Sequence, residues 1–337
     1  MEVKKVKKKR IFLIIFCLII ITSTALIYNH NKTKVTPTEA NIQKVQSEKN
    51  SSQNNVKNNK NSKNNSGNKK ALEEEEKNDD SESKETETPT IIKNNNSKNL
   101  DHVKNLDKIS SLEIVDSSIE KIDKLKGKDN IKTLKIVHCN VKDLEVVSTL
   151  KNLENLEIVD CKLSNVSIVK DLKRLKRLDI SNNEINNLNG LENLTNLKEL
   201  YMANNNIANL KPIHNLLKLT NLDISDNKIT SIKELKNMKS IKELNICNNN
   251  ISNLEGIENM SKITGLWVSN NKLNNISILS DKNEIVNLAL DNNKISDIST
   301  ITNFKKLKSL KLDKNNISSY KPLKDIYKNL VDPDFYI

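Results

Sequence analysis

The chain has 337 residues and a formal net charge of +12, from 55 lysines and arginines against 43 aspartates and glutamates. Hydrophobic residues make up 36% of the sequence, below the roughly 45–50% of an average globular protein, so we expect part of the chain not to pack. Four widely separated cysteines exclude a disulfide framework, and five glycines leave little room for a Gly-rich nucleotide-binding loop. The basic charge suggests nucleic-acid binding, a suggestion that depends on where the charge lies.

The positive charge is concentrated at the N-terminus. Residues 1–30 carry six basic side chains and one acidic one, residues 31–100 carry 13 and 11, and residues 101–337 carry 36 and 31. A domain that binds a phosphate backbone usually has a basic stripe of its own. Because the long C-terminal part is nearly neutral per residue, we expect no nucleic-acid partner.

Residues 1–30 combine a basic flank with an apolar segment. The six basic residues between Lys4 and Arg10 precede an apolar run over residues 11–28. This order predicts insertion with the N-terminus in the cytoplasm and export of everything that follows. We favour an uncleaved, single-pass membrane helix with the C-terminal domain outside the cell. Ser23 and Ala25 have the spacing of a cleavage site, so a secreted protein is the alternative.

Residues 31–99 have the composition of a linker. They contain no aromatic residue and only nine aliphatic ones, and the rest is rich in Asn, Lys and Glu. Such a segment cannot bury enough apolar surface to offset its ordering entropy. We therefore predict a disordered spacer, with an r.m.s. length of about 45 Å.

Residues 109–328 repeat every 22 residues without an insertion or deletion, which makes ten units. A leucine recurs in every unit from Leu112 to Leu310, and an apolar residue follows it two positions later. Five positions after the leucine, one column holds small polar residues or cysteine: Ser117, Cys139, Cys161, Asn183, Asn205, Asn227, Asn249, Asn271, Asn293 and Asn315.

These columns form the leucine-rich repeat pattern L-x-x-L-x-L-x-x-N/C-x-L. The pattern predicts an α/β solenoid with a parallel β-sheet on the concave face, because each unit supplies one strand and stacking buries the leucines. The second half of each unit is apolar every third residue, as at Leu188, Leu191 and Leu194, which favours short 3₁₀ turns on the convex face. We expect the Asn and Cys column to satisfy backbone groups where each strand ends.

The repeat region resembles the internalin-like surface proteins of Gram-positive bacteria, as the segment from Leu219 to Ile232 illustrates. Internalins usually begin with a larger helical cap, whereas only Leu100, Val103 and Leu106 precede the first unit here. We therefore expect a short N-terminal cap over residues 100–108 and a C-terminal cap over residues 329–337. The adhesion of internalins to host receptors is not carried over to this chain.

The outward columns of the predicted sheet are acidic overall. Five such columns carry 12 acidic and 8 basic side chains, although residues 101–337 as a whole are net basic. This distribution favours a neutral or basic protein partner. Two aromatic residues stand in the column between the inward positions, and Tyr and Trp are enriched at binding hot spots. The hypothesis is a protein-binding patch on the concave face made of Tyr201, Asp223, Asn245 and Trp267, with Glu199 and Glu243 beside them.

Two simpler interpretations of this patch and its surroundings stay open. The aromatic rings could merely cover neighbouring side chains, although Gly265 is expected to leave one flank of Trp267 uncovered. His138 falls between Asp116 and Asp160 on adjacent strands, where an ion-pair ladder is favoured over a metal site because a fourth ligand is lacking.

The cysteines of the repeat region also have two interpretations. Cys139 and Cys161 are predicted on adjacent strands, within disulfide range, and two free buried thiols are favoured. Cys247 is expected to be an exposed thiol on the concave face.

No spacing of His, Ser, Cys or carboxylate residues forms a recognisable catalytic constellation. We expect no enzyme activity, no cofactor, no metal and no small-molecule substrate. The favoured function is protein binding through the concave face. The alternative is a structural component of the cell envelope that self-associates through weakly capped solenoid ends.

Overall fold

A computed structural model of the protein describes residues 88–337. The predicted membrane segment over 11–28 and the predicted linker up to residue 87 lie outside the described residues. Among residues 88–337, no helix is both long enough and apolar enough to cross a bilayer.

The described residues build one parallel sheet in which the strands follow their order in the chain. Neighbouring strands are offset by 22 residues, so that Leu134 pairs with Leu156 and Leu156 with Leu178. The sheet has eleven strands: β1 Thr90–Lys93, β2 Ser111–Val115, β3 Thr133–Val137, β4 Asn155–Val159, β5 Arg177–Asp179, β6 Glu199–Tyr201, β7 Asn221–Asp223, β8 Glu243–Asn245, β9 Gly265–Trp267, β10 Asn287–Ala289 and β11 Ser309–Lys311.

Strand β1 shows that the repeat begins one unit earlier than the sequence analysis predicts. Ile92 pairs with Ile114 across the edge of the sheet and is buried, as is Leu100. Asn95 stands 22 residues before Ser117, and its N–H donates to the Ser117 hydroxyl at 3.4 Å. The predicted linker boundary at residue 99 and the predicted cap over 100–108 are therefore wrong, because residues 88–108 form an eleventh repeat unit.

A left-handed residue follows every strand and turns the chain out of the sheet. Asn, Asp and His tolerate this conformation better than most residues, and these types dominate the column. The eleven residues with positive φ at this place are Asn94, Asp116, His138, Asp160, Asn182, Asn204, Asp226, Asn248, Asn270, Asn292 and Lys314.

The next residue in each unit forms the predicted asparagine ladder. The Asn227 amide donates to the carbonyl of Met202 at 3.0 Å in the preceding unit, and to the carbonyls of Ile224 and Ser225 in its own unit. Its Oδ1 accepts the N–H of Ile207 at 2.9 Å. The same bonds recur at the other six asparagines of the column, so each side chain satisfies backbone groups of two successive units.

The convex side consists of short turns, as the three-residue period predicts. Its 3₁₀ helices are Leu106–Lys108, Asp123–Leu125, Leu144–Thr149, Ser167–Val169, Lys211–Ile213, Lys233–Leu235, Ser277–Leu279, Ser299–Asn303 and Lys321–Leu323. Lys282 occupies an inward position that holds Met260 and Phe304 in the neighbouring units, and its side chain is only 1% exposed. Its ammonium group donates to the Glu258 carbonyl at 2.6 Å and lies 2.9 Å from Asp281, which gives the buried charge polar partners.

The C-terminal residues close the last edge of the sheet. The short helix α1, Lys324–Tyr327, precedes a turn that stacks Phe335 on Tyr320 with ring centroids 4.6 Å apart. The Asp334 carboxylate accepts the N–H groups of Leu312 at 2.8 Å and Asp313 at 3.2 Å. Within residues 329–337, Asp334 therefore accepts backbone N–H groups that a further repeat unit would otherwise bond.

The ladder predicts a graded loss of stability at Asn227. Asn227→Ala leaves buried backbone groups of two units without a partner, and we expect the free energy of unfolding to fall by about 1–3 kcal/mol. Asn227→Cys is expected to lose less, because a thiol can still donate to the carbonyls. Urea unfolding followed by circular dichroism measures both changes.

Asn206→Ala is the matched control, because this exposed asparagine lies one position before Ile207 and outside the ladder. We expect a change within about 0.5 kcal/mol for the control. Equal stability of Asn227→Ala and Asn206→Ala would contradict the role of the ladder.

Candidate functional site

The predicted patch is a continuous row across four strands. Tyr201 pairs with Asp223, Asp223 with Asn245, and Asn245 with Trp267, each one strand further along the sheet. All four side chains are half-buried on the concave face, opposite to the buried leucines. The structure thus places them together, and Glu199 and Glu243 lie two residues before Tyr201 and Asn245 on the same strands.

Tyr201 is engaged by its own neighbours. The Arg177 guanidinium carbon lies 4.4 Å from the centroid of the tyrosine ring, which is a cation–π contact. The Tyr201 hydroxyl donates to Glu199 at 3.2 Å, and Arg177 donates to the same carboxylate at 2.6 Å. Burial, followed by the Glu199 charge, raises the pKa of Tyr201 to about 12. One face of this ring is consequently covered before any partner arrives.

The charged side chains of the concave face between β3 and β6 are paired with each other. Lys135 lies 3.3 Å from Glu157, and Arg177 reaches Glu157 at 3.4 Å, Glu199 at 2.6 Å and Asp179 at 3.8 Å. A chain of alternating charges therefore runs from β3 to β6. This part of the face has little unpaired charge to offer a partner.

His138 lies on the N-terminal half of the concave face, between the two aspartates that the sequence places beside it. Its Nδ1 lies 2.9 Å from Asp116 and its Nε2 lies 3.6 Å from Asp160. In the part of the chain that the structure describes, no group of three His, Cys, Asp or Glu side chains is arranged to hold a metal ion.

Asp223 is held by neutral donors instead of cations. The Asn245 amide donates to its Oδ2 at 2.9 Å, and the Ser225 hydroxyl and N–H donate to its Oδ1 at 2.6 and 2.9 Å. Burial raises the pKa of the Asp223 carboxyl in spite of these bonds. Asn245 therefore orients the carboxylate and is not free to make many contacts of its own.

Glu243 and Trp267 share the space above Gly265. A Cβ atom added at Gly265 would lie 1.9 Å from the Glu243 Oε2 and 2.4 Å from the Trp267 Cη2, so any larger residue there would force these two side chains to move. The expectation that Gly265 leaves one flank of the indole uncovered is wrong, because the six-membered ring leans over the glycine. The Thr264 hydroxyl donates to the other oxygen of Glu243 at 2.8 Å.

The carboxylates of the C-terminal half differ from those of the N-terminal half. Among residues 88–337, no Lys, Arg or His nitrogen lies within 4 Å of Asp223, Asp226, Glu243 or Asp291. Burial raises the pKa of the Asp226 and Glu243 carboxyls, as it does for Asp223. The Ser269 hydroxyl donates to Asp291, so this carboxylate also has a neutral donor.

The three cysteines of the described residues are free thiols. Cys139 and Cys161 stand in the asparagine column, and their thiols donate to backbone carbonyls of Val137 at 3.2 Å and Val159 at 3.3 Å. Burial raises the pKa of Cys161 to about 12 and also raises the pKa of Cys139. Cys247 is only partly exposed, contrary to the sequence prediction, and burial raises its pKa to about 12.

Sequence reasoning missed two features of the site. The contact of Arg177 with Tyr201 joins a residue of β5 to a residue of β6 that does not pair with it, so neither the repeat register nor the column pattern predicts it. The second feature is the lack of ion pairs at the carboxylates of the C-terminal half. The excess of acidic residues in the outward columns indicates unpaired carboxylates, but the count does not show on which strands they lie.

Comparison with known proteins supports the repeat assignment. The family described as Leucine Rich repeats (2 copies) matches residues 173–213 and 195–237. Curated proteins give no significant match. Among solved structures, the internalin InlF of Listeria monocytogenes is 26% identical with a TM-score of 0.64, over 69% of this chain and 76% of that chain. Internalin C2 of the same organism is 26% identical with a TM-score of 0.54, over 56% of this chain and 84% of that chain.

A plant protein shares the fold alone. The peptide hormone receptor RGFR1, in complex with RGF2, is 21% identical with a TM-score of 0.59, over 68% of this chain and 40% of that chain. The sheet, the ladder and these matches define the class of the molecule, a leucine-rich repeat solenoid. The two Listeria structures support a narrower description, and the chain is an internalin-like leucine-rich repeat protein.

The raised pKa values predict slow alkylation of the cysteines in the folded protein. At pH 8 a thiol with a pKa of about 12 is almost entirely protonated, and only the thiolate reacts quickly. We expect iodoacetamide to modify Cys139, Cys161 and Cys247 slowly in native protein and rapidly in urea, as peptide mapping by mass spectrometry would show. Fast native labelling of Cys247 would contradict its burial. A native mass lower by two hydrogen atoms that reductant restores would contradict the two free thiols in the ladder.

Proposed function

We propose that this chain is an exported protein that the apolar segment over 11–28 holds in the cell membrane, and that it binds a protein partner through its concave face. The basic flank before the apolar segment supports the orientation, with the repeats outside the cell. The linker composition supports a spacer between the membrane and the repeats.

The observation that carries the binding proposal is the half-buried row on the concave face, with Trp267 at its C-terminal end. A half-exposed tryptophan among desolvated polar groups is the usual composition of a binding hot spot. The solenoid offers this face as a rigid surface, because the inward side chains and the ladder fix each strand. The plant receptor in complex with RGF2 is a precedent for a ligand held by this fold.

The charge of the face favours a neutral or basic protein over other classes of partner. Unpaired carboxylates repel nucleic-acid phosphates, so no nucleic-acid partner is proposed. We propose neither a small-molecule substrate nor a catalytic role for this face.

Self-association through the ends of the solenoid is the less supported function. Head-to-tail stacking would need both sheet edges, and the Asp334 carboxylate already accepts N–H groups beyond β11. The C-terminal cap would have to move away before a second copy could pair there.

Trp267→Ala tests the binding proposal. Full-length protein, immobilised and exposed to extracts of surface proteins, captures candidate partners, and the affinity of each purified candidate is then measured. We expect Trp267→Ala to weaken binding by about 30-fold, which corresponds to a hot spot of about 2 kcal/mol. Lys236→Ala, a change on the convex side, is the control and should leave the affinity unchanged. Equal affinity of the two variants would exclude Trp267 as the centre of the binding surface.

Cell fractionation tests the location. With a tag at the C-terminus, we expect the full-length protein in the membrane fraction, and we expect protease added to intact cells to remove the tag. Recovery of tagged protein from the medium, with a new N-terminus after Ala25, would show a secreted protein instead. A tag protected from protease would contradict export.

A further inference from the structure

On the concave face, the ring of Tyr201 has a cation–π contact with a side chain of the same protein. Arg177 on β5 lies over the ring of Tyr201 on β6, and the Glu199 carboxylate bonds both the guanidinium and the tyrosine hydroxyl. Ring, cation and carboxylate thus form a complete and mutually satisfied set. In this set, the cation lies over the aromatic ring and donates to the carboxylate beside it.

Trp267 occupies the same repeat position as Tyr201, three strands further on. The residue that corresponds to Arg177, one strand back and two residues earlier, is Glu243. A carboxylate therefore stands where the tyrosine has its cation. The residue that corresponds to Glu199 is Gly265, so the carboxylate comes from the preceding strand and not from the strand of the ring.

The glycine brings the ring and the carboxylate together. Both the Glu243 Oε2 and the edge of the indole lie within 2.6 Å of the point that a Cβ of Gly265 would occupy. They are therefore neighbours above the same backbone. On the other side, Trp267 pairs with Ala289 on β10, so no long side chain stands directly opposite the indole there.

The set around Trp267 lacks a positive charge. Thr264 is a neutral donor to Glu243, and the ion pairs of the described residues include neither Glu243 nor Asp291 nor Asp223. Burial raises the pKa of the Glu243 carboxyl, and the nearby Lys242 opposes this shift only in part. A desolvated carboxylate beside an aromatic ring has the composition that binds a guanidinium or ammonium group.

We propose that Trp267 and Glu243 form a subsite for a cationic side chain, arginine or lysine, of the protein partner. The cation lies on the indole as Arg177 lies on Tyr201, and it donates to the Glu243 carboxylate. This inference rests on the proposed function, because it names the chemistry that the concave face receives.

The single tryptophan of the sequence makes the subsite directly observable. The probe is an acetylated peptide of six arginines, titrated into full-length protein while tryptophan fluorescence is recorded. The matched peptide of six citrullines has the same shape without the charge. We expect a saturable change in fluorescence with the arginine peptide, and none with the citrulline peptide.

Two substitutions and a control locate the binding. Glu243→Gln is expected to weaken the arginine peptide about tenfold. Glu243→Arg places a cation where Tyr201 has Arg177, and should abolish the response. Glu113→Gln, at the N-terminal end of the same face, is the control for the general acidity of the surface and should leave the response unchanged.

The results separate this inference from the proposed function. An equal response to the citrulline peptide, or an unchanged affinity of Glu243→Gln, would overturn the cation subsite. If Trp267→Ala then still weakens the binding of an identified partner, the concave face remains a binding surface that does not depend on a cation at Glu243. If the arginine peptide binds as expected while Trp267→Ala leaves partner affinity unchanged, the subsite stands and the proposed partner interface is wrong.

Discussion

The structure depends on how the backbone is satisfied where each strand ends. The chain leaves the sheet through a residue in the left-handed conformation. The buried N–H and C=O groups beside this residue have no partner on a neighbouring strand. From residue 109 onward, one Ser, Cys or Asn side chain per unit donates to the carbonyl 25 residues earlier. In the seven asparagine units the amide oxygen also accepts the N–H 20 residues earlier. Since these bonds cross between units, a unit is complete only when its neighbour is in place. The repeat therefore propagates with constant geometry, and the outward columns are free to vary.

The same constraint explains which parts of the fold the sequence predicts. The columns from residue 109 onward predict strands, turns and register, because every position is set by contacts with identical neighbours. The unit at 88–108 escaped prediction because Thr90 stands in the leucine column and Glu87 in the first apolar column. An end unit packs against only one neighbouring unit. Ile92 and Leu100 are buried in this unit and hold β1 in the sheet. A search that requires leucine in the column therefore misses a unit that packs without it.

The candidate site was predictable in position but not in conformation. Because the register equals the repeat length, the sequence places Tyr201, Asp223, Asn245 and Trp267 in one row. The direction of each side chain depends on competition between neighbours of different length. Arg177 is long enough to reach a ring on the next strand, and Gly265 offers room that the indole then occupies. Such contacts run diagonally across the sheet and leave no periodic trace in the sequence.

The pairing of charges across neighbouring strands divides a uniform scaffold into two electrostatic halves. In the N-terminal half, a partner that bonds Glu157 or Glu199 has to displace Arg177, so the gain from a new ion pair is offset by the loss of an existing one. In the C-terminal half, Asp223 and Glu243 are already partly removed from water in the free protein and have only neutral donors. A partner therefore meets less desolvation cost there for each charge that it pairs. For this reason the proposed subsite at Trp267 and Glu243 is the place where a basic partner is expected to gain most of its affinity.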